Sequence, residues 1–108
     1  MISAAVAMLL LGAAPEPPGK SREAYARCLK DLARTSLEKK MDAAAFEAAL
    51  AAACRDKEAL FKTSLISSEV AMGVKRAVAE KGIQEEIASY RSETKEGYQA
   101  ELASAPQP

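Results

Sequence analysis

The sequence predicts an all-α fold built on a disulfide-clamped antiparallel helical hairpin. The hairpin's second arm continues as a long helix that either runs through Gly82, bent there, or folds back at Gly82 into a third helix. Three observations carry that prediction. Apolar residues recur at three- and four-residue steps through most of the chain, as one face of a helix requires. No glycine or proline interrupts the stretch from Lys20 to Met72. The two cysteines, Cys28 and Cys54, lie symmetrically about Met41-Asp42, so a reversal there brings them level.

The first arm follows PEPPG, and Ser21 is its expected N-cap, with Glu23 in the first turn. Tyr25, Cys28, Leu29, Leu32 and Leu37 form one face, with Arg22, Arg27, Lys30, Asp31 and Arg34 opposite. Lys39 and Lys40 fall in the last turn, where cations suit the helix dipole. Asp42 is the natural N-cap of the second arm. A pivot at Met41 pairs Leu32 with Leu50 and Ser36 with Phe46, on the same seam as the cysteines. The second arm has no stop signal at Cys54 and is expected to run on through Lys62.

Beyond Phe61 the helix is apolar on two sides. Phe61, Leu65, Met72 and Ala79 form one stripe; Ile66, Val70, Val74, Ala77 and Val78 form another. Helix one is too short to cover both. Two arrangements supply the cover. Gly82 after Lys81 suits a helix C-cap, with Ile83 beside it and a third helix from Gln84 to about Leu102. Alternatively, a continuous helix keeps Phe61, Met72, Ile83, Ile87 and Tyr90 approximately in phase and leaves apolar surface for a partner.

Met1 to Ala14, MISAAVAMLLLGAA, is an apolar run too short to anchor in a bilayer but suited to a secretory signal. The chain then divides into a signal peptide over 1–13, a proline-rich linker over 14–20, one helical domain over 21–102 and a tail over 103–108. Export to the periplasm or beyond fits an even cysteine count read as a disulfide. If the apolar segment is retained instead, the protein is membrane-associated.

Hydrophobic residues make up 49% of the chain, but aromatics only 5%, and alanine dominates, so helix forms readily around a thin core. The formal net charge is zero, although Lys20 to Met41 carries seven basic and three acidic residues. Those cations are interspersed with acids and lack neighbouring aromatics, so no nucleic-acid partner is expected.

The sequence contains no histidine. That removes histidine-based triads and the usual zinc and iron sites. There is no glycine-rich phosphate loop and no CxxC pair. Glu85, Glu86, Glu93 and Glu96 read as a solvated face rather than a calcium site. No catalytic residue, cofactor or metal is therefore expected. What remains is contact surface, with a protein partner or self-association as its use. Its candidates are Ile66, Val70, Val74 and Val78 on one stripe, with Ile87, Tyr90 and Tyr98 as anchors if the last segment is exposed. Inhibition of another protein's enzymatic activity is the alternative use of such a surface.

Overall fold

A computed structural model describes residues 17–104. The expected signal peptide, the start of the linker and the end of the tail lie outside the described residues. Within them the chain forms four helices, α1 (Pro18–Glu38), α2 (Ala43–Ala53), α3 (Arg55–Ala71) and α4 (Arg76–Ser104), and no strand. The all-α prediction holds, and so does the clamped hairpin: Cys28 and Cys54 are bonded, with their Cα atoms 5.9 Å apart.

Helix α1 begins earlier than Ser21. Pro18 occupies the first turn, where a missing N–H costs nothing. Ser21 lies buried inside the helix, and its hydroxyl donates to the Pro17 carbonyl at 3.1 Å. The exit is a backbone cap. The Lys40 amide donates to the Leu37 carbonyl and the Met41 amide to the Ser36 carbonyl, each at 3.0 Å, while Lys40 takes a left-handed φ of 55°. Asp42 then opens α2 as expected, its Oδ1 accepting from the Ala45 amide at 2.8 Å.

The second arm is broken once. Cys54 leaves helical geometry, with φ −107° and ψ 21°, and its carbonyl accepts from the Glu58 amide to start α3. Nothing in AAACRDK announces this interruption, since no residue there disfavours helix strongly.

The main reversal falls at Gly73, not Gly82. Gly73 has φ +97°, a conformation that side chains with a Cβ rarely adopt. Its amide donates to the Val70 carbonyl at 3.0 Å, and the Val74 amide to the Glu69 carbonyl at 2.9 Å. This paired closure is the Schellman motif. The glycine cap expected at Gly82 is therefore present, but at Gly73. Gly82 is an exposed residue within α4, which runs unbroken through it. The chain thus folds back into a further helix, as one of the two arrangements required, but nine residues earlier in the sequence.

Helix α4 packs against α1, α2 and α3 together and closes the core. Ile83 and Ile87 from α4 meet Tyr25, Leu29 and Phe61 in one buried cluster. At the other end Tyr98 stacks on Phe46, ring centroids 3.8 Å apart, and its hydroxyl donates to the Met41 carbonyl.

Candidate functional site

Register decides what the core leaves uncovered. The Cys28–Cys54 bond and the stacking of Tyr25 on Phe61 (centroids 6.0 Å apart) run α1 antiparallel to α3. Continued to its start, that register brings Pro18 level with the turn from Ser64 to Ser68. On the other side, Arg22 pairs with Glu86 at 3.0 Å and Arg91 with Glu58, which sets α4 alongside. The end of α3 and the start of α4 therefore project past α1 as a two-helix tip, by roughly 5–10 Å at the helical rise of 1.5 Å per residue.

The tip is apolar where a turn is usually polar. Met72 is 75% exposed, Val78 60% and Val70 38%. Val74 and Ile66 are half-buried, and Ala79 is buried between the two helix ends. From Val70 to Ala79 the sequence, VAMGVKRAVA, contains no acid and two adjacent cations, Lys75 and Arg76. Arg76 lies 3.9 Å from Glu80 on the next turn of α4. Lys75 and Lys81 are exposed and form no ion pair among the described residues.

The expected contact residues thus separate into two groups. Val70, Val74 and Val78 gather at the tip, with Ile66 at its base. Ile87 and Tyr98, by contrast, are 5% and 2% exposed and belong to the chain's own core. Tyr90 is half-buried, edge-on to Tyr25 and Phe61 at centroid distances of 5.7 and 6.2 Å. These three anchor α4 internally, because the fold-back turns their face inward. Met72, placed by periodicity on one stripe with Phe61 and Leu65, is the most exposed large apolar side chain described. Met72 is the C-cap of α3, just past the last helical residue and at the projecting turn, so the stripe's cover does not reach it.

A second constellation was not legible in the sequence. Glu58 is buried between α1, α3 and α4; its Oε1 accepts from the Tyr25 hydroxyl at 3.1 Å and from Arg91. Lys62 stands 3.9 Å from the other oxygen. Burial and then the Glu58 charge push the Tyr25 hydroxyl up to about 12. Burial alone would lower Arg91, but the Glu58 carboxylate outweighs it and the guanidinium is held further above its ordinary range. The group is therefore a neutral phenol beside a locked ion pair.

A groove of about 360 Å³ between α2 and α4 is lined by Leu50, Ala51 and Ala88, with Arg91 and Lys95 as its cations. Lys95 already pairs with Glu47 across it at 3.0 Å. Among the described residues no cluster of acidic or cysteine side chains could hold a metal. No described helix is long and apolar enough to cross a membrane. Comparison with protein-family models, curated proteins and solved structures finds no match.

Proposed function

We propose that this protein is an exported, non-catalytic binding module that makes contact through the tip of the α3–α4 hairpin. The exposure of Met72, Val78 and Val70 together on one projecting turn carries this reading. A small domain with so little bulk in its core gains stability from every apolar side chain it buries. Leaving three at one end works against folding, which favours a use in contact. The disulfide supports an oxidising compartment, since such bonds persist there and seldom in the cytosol.

The body of the molecule serves as a handle in this reading. The clamp between Cys28 and Cys54 sits at the far side of the Tyr25–Phe61 contact from the tip. A photo-reactive amino acid in place of Met72 tests the assignment in the native host. It is expected to give adducts that the same group in place of exposed Ala52 does not. Equal labelling from both positions, or none from 72, would remove the tip as the contact surface.

A further inference from the structure

We infer that the tip docks on an anionic lipid surface. The inference rests on the tip being the contact site and adds the chemistry of what it meets. Three features of the tip point to that occupant.

The first is shape. The tip is a convex turn only two helices wide, with Met72 at its apex and Val70 and Val78 on its flanks. A convex apolar apex suits insertion into a yielding headgroup layer.

The second is charge placement. Lys75 and Arg76 sit at the start of α4, directly after the apolar turn, with Lys81 further along the same helix. Cations at that depth meet lipid phosphates while the apolar side chains reach the acyl boundary. Two acids lie near. Glu80 pairs with Arg76 from behind, and half-buried Glu69 lies on the last turn of α3; neither falls between Val70 and Ala79.

The third is the poor fit of a second copy. A two-fold contact between tips would bring Lys75 and Arg76 of one chain against the same pair of the other. An anionic surface removes that repulsion and satisfies the cations.

Sedimentation of the full oxidised chain with vesicles tests this. One set is phosphatidylcholine alone, the other phosphatidylcholine mixed with phosphatidylglycerol. Binding is expected to the mixed vesicles and to weaken with added salt. Lys75→Glu/Arg76→Glu should lower the partition coefficient at least about tenfold, since each cation near such a surface is worth about a fivefold factor. Met72→Glu should abolish binding. Both variants alter exposed side chains, and unchanged circular dichroism verifies their fold. Each retains Met1 to Ala14, so binding carried by that segment would survive the substitutions and overturn the proposal. Absence of binding to mixed vesicles, or equal binding to neutral ones, would overturn it as well. Adducts from position 72 without vesicle binding would leave the tip as a contact site and reject lipid as its occupant.

Discussion

Glu58 shows how much one side chain can settle. Among the described residues it is the only buried charged group, and three helices supply its partners. A buried carboxylate without a cation is strongly destabilising, whereas an apolar pair of similar volume is often tolerated. Arg91→Met should therefore cost about 1–3 kcal/mol, the lower end reflecting a guanidinium that is 38% exposed. The double replacement Glu58→Met/Arg91→Met should recover much of that loss, as read from urea unfolding. A double variant as unstable as Arg91→Met alone would mean that the loss lies in packing and not in the stranded charge. Tyr25 adds a pH dependence of definite sign. Its folded pKa lies above the unfolded value of 10.0, so the folded state holds the proton longer. Its contribution is complete below pH 10 and is lost as pH rises toward 12. Tyr25→Phe should flatten the decline of stability across that alkaline window, measured by denaturant midpoint against pH.

The elements turn on which glycine ends a helix. Gly73 and Gly82 look alike in sequence, each following a run of helix formers. A β-carbon at Gly82 would meet nothing within 4 Å, and the backbone there is helical. Gly82→Ala should raise stability by about 0.5–1 kcal/mol through helix propensity and lower unfolded-state entropy. At Gly73 the space is equally open, yet φ +97° makes any β-carbon strained. Gly73→Ala should lower stability by about 1 kcal/mol. Thermal unfolding of the two variants separates them by sign, and a common sign would contradict the placement of the reversal. This pair also marks what was legible beforehand. Helix type, the Asp42 cap, the Met41 reversal and the cysteine pairing all follow from local residues and symmetry. The choice between glycines does not, because it depends on where α4 must lie to cover Phe61 and Tyr25 from the third side. The Glu58–Arg91 pair was hidden for the same reason, its partners coming from helices whose register that choice sets.

At the scale of the molecule, the same choice decides which apolar residues become core and which become surface. Folding back at Gly73 gives α4 enough length to run past α3 and reach α2, so Tyr98 meets Phe46 and the hairpin becomes a closed bundle. The contact candidates Ile87 and Tyr98 are consumed in that closure; Val70, Val74 and Val78 are left at the tip because α1 starts too late to reach them. The disulfide then acts on the whole. It closes a loop between residues separated by 26 positions, which in the chain-entropy model is worth about 3.5 kcal/mol. That is a large fraction of the roughly 5–15 kcal/mol typical of a folded domain. Reduction should therefore lower the unfolding midpoint steeply. Because the bond mainly restricts the unfolded chain, it should leave the folded arrangement of α3 and α4 in place. Cys28→Ser/Cys54→Ser, studied below its own midpoint, is expected to keep native circular dichroism and to label from position 72 as the oxidised protein does. A variant that loses helix before any denaturant is added would show that the bond holds the native bundle together directly, with α4 docking on a hairpin that cannot close without it.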